Sequence, residues 1–484
     1  MDYDKGMSKW PRRAGVPGIP FAEFTGNKAR HSSINKSLIW LYCWLAAYAI
    51  CLISLLTRLS LWLDEILDLM GARIQNLPEL ISYVRANPGA VPLGYLAQAA
   101  AIRTFGLSAF SGRLPSALAS VAGCAGIYFL ARRTAVRRPL LAAVAFAICP
   151  LQLRYALEAR DYALALAFSI YATLLFSFLR EQPRSVSLQI LYGICVLAGV
   201  YTQPFSLFVP IAHLAWLTLA PERAEKRRLF VFVSLIIVSS GLLFLPWYVY
   251  ASATWKEGIA ANHLHGKITP RSFLLVLHEL AGAGYVGTGI VIIAAFLAAT
   301  SRQVNRSDAL FWLLYALAPI FCVLLVDGVY GYFLAIRQMI FVVAPLSVIV
   351  ALAVERSGRL GLVLGLAFVV TAVWNDVGLF NRPREDWRSA ATLLKTEVTQ
   401  GACMLVFPEE SLRLYTFFLP ELSQYECSNG GFERKDRVAL ALGPDVLRQG
   451  HLAVEQQLAK SGFFKVKELN ATGPRIEIFQ RKWN

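Results

Sequence analysis

Two adjacent carboxylates, Asp64 and Glu65, stand in the run Leu61-Trp62-Leu63-Asp64-Glu65. Repulsion between neighbours and partial burial raise the pKa of one member of such a pair. A carboxylate so placed can serve as a general base or hold a divalent metal ion. The plainer alternative is an interfacial acidic pair that ends a helix. A second charged run, Arg154-Tyr155-Ala156-Leu157-Glu158-Ala159-Arg160-Asp161-Tyr162, is either a salt-bridged helix cap or another wall of the same site. On a helix, Arg154 and Glu158 are i,i+4 partners, as are Glu158 and Tyr162. Arg337 heads a later apolar run. Its planar fork suits a lipid phosphate, and the alternative is a snorkelling interfacial arginine. Trp255, Lys256, His263, His265, His278 and Glu279 read as ordinary polar loop residues. His-x-His spacing alone is a weak metal signal. No CxxC or His/Cys zinc spacing and no Gly-rich phosphate loop is evident.

The elements that must position these groups are set by hydrophobicity. Of 484 residues, 56% are hydrophobic and only 16% charged. Soluble chains run near ~25% charged. Disorder and a disulfide miniprotein are excluded. The apolar residues gather in eleven blocks, most of them near the length that spans a bilayer core as a helix. They lie near Leu38–Leu56, Leu114–Ala131, Pro139–Leu153, Ala163–Phe178, Leu188–Tyr201, Phe205–Ala220, Leu229–Tyr250, Gly284–Ala299, Ala309–Val326, Met339–Val354 and Leu360–Val377. The expected fold class is a polytopic α-helical membrane protein of about eleven spans.

Charge orients it. The N-terminal arm (1–36) and alternate loops carry the arginines and lysines: Arg132-Arg133, Arg137-Arg138, Arg180 and Arg184, Arg223 to Arg228, Arg302 and Arg306, Arg356 and Arg359. The positive-inside rule makes that side cytoplasmic. The net charge of +16 therefore reports topology and gives no support to nucleic-acid binding. The transmembrane domain covers 37–378, with a long first external loop at 57–113. In that loop Glu79–Val84 and Leu93–Phe105 read as amphipathic helices on the membrane, separated by Asn87-Pro88 and Val91-Pro92. Trp216, Trp247 and Trp374 read as interfacial anchors. The segment 379–484 alternates helical and strand periods and is expected to be a small external α/β domain. Its Cys403 and Cys427 can pair in an oxidising compartment, although spacing does not supply the geometry.

Taken in order, several motifs resemble the glycosyltransferase-C (GT-C) superfamily of polyprenyl-phosphate-sugar-dependent membrane enzymes. The similarity is to bacterial lipid A aminoarabinose transferases and relatives of the protein O-mannosyltransferases. The motifs are Leu63-Asp64-Glu65, the stretch from Phe105 to Ser116, the run Arg154 to Tyr162, and Tyr201-Thr202-Gln203-Pro204. Arg337 before Pro345 and Arg384-Glu385-Asp386-Trp387-Arg388 complete the set. The resemblance implies sugar transfer, usually inverting, from a polyprenyl-phosphate donor to a lipid, polysaccharide or protein acceptor. The reaction would occur on the external face of a bacterial inner membrane. By position, Asp64 would be the base, supported by Glu65. Glu158 or Asp161, with Arg160 between them, would form the donor side near the phosphate or a metal. Arg337 would bind the lipid phosphate. Where family members often carry His-Pro-Pro or Lys-Pro-Pro, this chain has Asn87-Pro88-Gly89-Ala90-Val91-Pro92-Leu93. A flippase or transporter is the competing class; those tend to show internal repeats and midplane charges, and neither is evident here.

Overall fold

The computed structural model describes residues 24–134, 136–219, 225–261, 278, 284–300, 306–330, 336–382, 384–427, 435–443 and 448–482. His263, His265, Glu279, Arg223 and Arg302 lie outside the described residues. The chain divides into Met1–Trp44 and Leu45–Asn484. Helix α1 (Phe24–Leu55) runs through the boundary, and every later element belongs to the second unit.

The first loop folds as three short helices, α2 (Leu63–Ala72), α3 (Leu77–Ala86) and α4 (Pro92–Phe105). Pro92 opens α4, where a missing N–H costs nothing. Gly106 ends it at φ +77°, a conformation L side chains rarely adopt. Helix α5 (Ala109–Arg133) starts at Ser108, whose hydroxyl accepts the Ser111 N–H while Ser111 Oγ accepts the Ser108 N–H. These reciprocal bonds satisfy two donors that a helix start leaves open. Helices α6 (Pro139–Ala147) and α7 (Pro150–Ala156) meet at a 63° bend. Pro150 there cannot continue the helical ladder. Then come α8 (Tyr162–Leu179), α9 (Val186–Thr202), α10 (Phe208–Leu219) and α11 (Lys226–Ala261). The membrane part closes with α12 (Gly284–Thr300), α13 (Arg306–Tyr330), α14 (Val343–Arg356, after a 3-10 turn from Ile336) and α15 (Gly358–Asn381).

Among the described residues, seven helices are long and apolar enough to cross a membrane, or eight if the bent α6–α7 pair is one span. Three shorter apolar helices, Val186–Thr202, Pro204–Leu219 and Gly284–Thr300, fall on three of the other expected blocks. The polytopic helical class holds, whereas length and composition do not establish a count of eleven. The basic loops do share one end of the bundle. Arg133 pairs with Glu181 at 2.6 Å, Arg180 with Asp308 at 3.6 Å and Arg184 with Glu225 at 2.8 Å. The Glu355 carboxylate accepts the backbone N–H groups of Arg137 and Arg138. Arg113, near the start of α5, lies about 30 Å along the helix from Arg133 at 1.5 Å per residue, close to the thickness of a hydrocarbon core. The chemistry-bearing motifs gather at the Arg113 end.

Two of the three expected interfacial tryptophans are core residues instead. Trp216 and Trp247 are 4% and 8% exposed, and each indole N–H donates to a backbone carbonyl, of Ser307 and of Ala90. Proximity to a span end cannot separate a membrane anchor from a side chain tucked under a neighbouring loop. Trp374, 80% exposed, does face outward.

The tail forms the expected α/β unit: α16 (Trp387–Thr399), β1 (Cys403–Phe407), α17 (Leu412–Phe418), β2 (Arg437–Leu442), α18 (Arg448–Lys460), β3 (Phe463–Asn470) and β4 (Arg475–Arg481). The sheet order is β1-β2-β4-β3, parallel between β1 and β2 and antiparallel elsewhere. Strand alternation splits its faces. Val438, Leu440 and Leu442 join a cluster with Leu458 of α18 and Phe463. Ala439 and Ala441 join Met404, Val406, Ile476 and Ile478 in a core shared with Ile66 and Leu69 of α2 and Trp387 of α16. The tail and the first-loop helices therefore fold around one core. Cys403 and Cys427 form a disulfide with Cα atoms 5.3 Å apart. Closing a loop of 24 residues this way contributes about 3 kcal/mol in a chain-entropy picture.

Candidate active site

The site is built on α2. Trp62 is extended and offers no side-chain acceptor to the helix start. Two carboxylates serve instead: Glu65 Oε2 accepts the Trp62 N–H at 3.4 Å, and Glu385 Oε2, from the tail, accepts the Leu63 N–H at 3.0 Å. Helical spacing then puts Asp64 and Asp68 on one face, a turn apart. Glu65, Ile66 and Leu69 point inward.

Glu65 is completely buried. Arg113, equally buried, grips it with Nε to Oε1 and Nη2 to Oε2, both at 2.7 Å. The remaining Arg113 donors go to the carbonyls of Leu56, Leu59 and Ser60 at 2.7–3.1 Å. Glu65 Oε1 also accepts the Ala159 N–H at 2.7 Å. This is a paired, hydrogen-bonded buried charge, the arrangement that makes burial tolerable. It ties α2 to α5 and to the segment carrying Glu158, Arg160 and Asp161.

Asp64 lies in looser company. Its Oδ2 meets Arg337 Nη1 at 3.4 Å and Arg160 Nη2 at 3.7 Å, with side chains 24%, 28% and 17% exposed. Arg160 also pairs through Nη1 with Asp68 Oδ2 at 3.1 Å. Tyr95 of α4 donates to Asp68 Oδ1 at 2.7 Å. The Arg160 backbone is fixed by Ser116 Oγ, which donates to its carbonyl at 2.7 Å. Both guanidinium groups lie within 6 Å of the Tyr162 ring, which adds a cation–π contact to each. Burial pushes the Asp68 carboxyl up to about 6 against the opposing pull of Arg160 and Tyr95. Burial also pushes Asp161 up to about 7, with Arg160 as the main opposing charge. Asp161 is approached so closely by α4 that a Cβ on Gly94 would lie 2.6 Å from its own Cβ.

Glu158 is buried just beyond the end of α7. Arg154 donates to its Oε1 at 3.2 Å, so the i,i+4 pair forms, and Arg384 of the tail donates to the same oxygen. Burial raises the Glu158 pKa, with Arg384 and Arg154 opposing. Its Oε2 has no hydrogen-bond partner among the described residues. Arg384 Nη1 also lies 3.6 Å from Glu65 Oε2.

The structure thus brings Asp64, Arg160 and Arg337 together at a partly open surface, with Asp161 beside them and Glu65 and Glu158 behind. Asp68, Tyr95, Arg113, Arg384 and Glu385 were not singled out by residue chemistry alone. Asp68 had a readable signal, its i,i+4 spacing from Asp64. Arg113 and Arg384 stand inside motif stretches, but no local pattern predicts which carboxylate each will meet. In the cluster, Asp64, Glu65, Asp68 and Glu158 each face a guanidinium. Among the described residues, the one group of three donors that could hold an ion is His451, Glu455 and Glu477 in the tail.

Residues 87–250 match the family model described as dolichyl-phosphate-mannose-protein mannosyltransferase. No curated protein matches the chain by sequence. Among solved structures, ArnT from Cupriavidus metallidurans in the apo state is 14% identical, with a TM-score of 0.59 over 92% of this chain and 98% of that one. The same protein bound to undecaprenyl phosphate gives 13% identity and 0.57, covering 91% and 98%. The oligosaccharyltransferase AglB from Archaeoglobus fulgidus, with an inhibitory peptide and a dolichol-phosphate, is 13% identical with a TM-score of 0.54, covering 90% and 74%. The chain has the GT-C fold that its motifs resemble.

Proposed function

We propose that this protein is an inverting glycosyltransferase that takes a sugar from a polyprenyl-phosphate donor and passes it to an acceptor hydroxyl. The observation that carries the reading is the meeting of two guanidinium groups, Arg160 and Arg337, on one carboxylate oxygen of Asp64, Oδ2. The undecaprenyl phosphate and dolichol-phosphate held by proteins of the same fold supply the ligand class.

The chemistry follows from charge. A sugar joined to a lipid phosphate leaves as the phosphate monoester, so negative charge grows on phosphate oxygen during transfer. Preorganised cations at that oxygen stabilise the transition state. The donor phosphate takes Arg160 and Arg337 from Asp64, and the freed carboxylate faces the acceptor. The acceptor oxygen attacks the anomeric carbon, the bond from that carbon to phosphate oxygen breaks with its electron pair, and the acceptor proton passes to Asp64. Glu65 and Glu158 act from behind, holding α2 and the 158–161 segment. Placing the site end outside a bacterial inner membrane accords with the basic residues at the opposite end and with the tail disulfide.

The test is Asp64→Asn in nanodiscs, assayed with radiolabelled polyprenyl-phosphate sugars and envelope acceptor extracts. Transfer should fall by about 10²–10⁴-fold, the usual share of a general base, with insertion and thermal midpoint unchanged. Wild-type transfer by the variant would remove Asp64 from the reaction.

A further inference from the structure

The helix that carries Asp64 does not complete its own N-terminus. A helix start exposes N–H donors that are ordinarily met by a Ser, Thr, Asp or Asn just before it. Here that position is Trp62, and the Leu63 N–H is met by Glu385, 322 residues later in the chain. A carboxylate at this place satisfies the donor and complements the positive end of the helix dipole.

Glu385 is itself held on several sides. The other donor on its Oε2 is the Trp387 indole N–H, at 2.8 Å. The Asp386 N–H donates to the Thr472 carbonyl at 2.8 Å in the turn between β3 and β4. Gly473 in that turn, at φ +89°, packs so close that a Cβ would come within 3.0 Å of Glu385 Cγ. Trp387 is fully buried in the core shared by tail and first loop. Arg384, the preceding residue, bridges Glu158 and Glu65.

We infer that Arg384 and Glu385 form a clamp through which the tail positions Asp64, with Glu385 serving as a long-range N-cap for α2. The tail is then a structural part of the site, because it meets the Leu63 N–H that α2 and the first loop leave open. Glu385 touches no reacting atom in this arrangement and is a positioning residue. The inference rests on the proposed function only where it speaks of transfer; the capping contact stands apart from it.

The experiment uses the full chain in nanodiscs with Glu385→Ala and Glu385→Gln, read by amide hydrogen exchange and by transfer kinetics. In Glu385→Ala, exchange at residues 63–66 should rise at least tenfold, while the sheet and the α5 and α8 amides keep their protection. kcat should fall about tenfold, with the KM for donor within twofold, because the arginines that meet the phosphate are untouched. Glu385→Gln keeps an acceptor oxygen without the charge and should restore part of both. Unchanged exchange at 63–66 in Glu385→Ala overturns the cap. Raised exchange with unchanged kcat overturns the positioning role. Exchange lost throughout the sheet as well means that Glu385 merely holds the fold, and overturns the specific claim too. A wild-type protein that transfers no sugar overturns the proposed function, and the exchange result alone then decides the cap.

Discussion

Asp64 and Glu65 are neighbours on one helix, and each carboxylate meets arginine. Glu65 has a forked partner at 2.7 Å on both oxygens and no exposure. Asp64 shares one oxygen between two arginines at 3.4 and 3.7 Å, at a surface open to solvent. The difference separates two uses of the same chemistry. A saturated, desolvated pair has no spare hydrogen-bonding capacity for a substrate, and breaking it leaves a buried charge. A looser, partly exposed cluster costs less to open to an incoming anion.

The largest expected effect lies on the saturated side. Arg113→Ala strips Glu65 of its forked partner, leaving Arg384 at 3.6 Å, and orphans the carbonyls of Leu56, Leu59 and Ser60. Breaking a buried pair in this way costs about 3–5 kcal/mol. The yield of monodisperse protein and its thermal midpoint in detergent should both collapse. Asp64→Asn should leave both measures near wild type. Equal stability losses in the two variants would erase the distinction between the neighbours.

That distinction could not be read along the chain. Helix period tells that residues 64 and 65 point in different directions, but not which of them faces the core, because the run is short and both flanks are apolar. The apolar blocks, the basic loops and the α/β tail were legible, since each follows from local composition or period. The partners were not: Arg113 is 48 residues from Glu65, and Arg384 is 226 from Glu158. Such contacts depend on how helices pack, and local pattern is silent there. The same limit explains Trp216 and Trp247, whose burial is decided by neighbours distant in sequence.

A middling effect is expected on the loose side. Arg337→Ala removes one cation from the outer cluster and leaves Arg160 paired with Asp68. A charge-assisted contact to phosphate is worth about 1.5–3 kcal/mol, so the KM for the lipid-phosphate donor should rise about 10–100-fold under the proposed reaction. Arg337→Lys should recover only part of this, because an ammonium lacks the fork. A donor KM indifferent to both substitutions would mean that the phosphate is bound elsewhere and that Arg337 serves only to hold Asp64.

The smallest expected effect probes the edge of the cluster, where carboxyls are neither saturated nor free. Asp161 is pushed up to about 7 and Asp68 to about 6, both chiefly by burial. In the unfolded chain both titrate near ~4. Between those values the folded protein binds more protons than the unfolded one, so stability falls as pH rises from about 4 to about 7. Asp161→Asn keeps the shape and removes the larger share of that titration. Its thermal midpoint should match wild type near pH 4 and exceed it by a few degrees at pH 8. The variant should keep a shallower fall that ends near pH 6, the part owed to Asp68. A midpoint profile parallel to wild type across the whole range would show that Asp161 ionises as readily in the folded protein as in the unfolded chain, and that burial does not govern it.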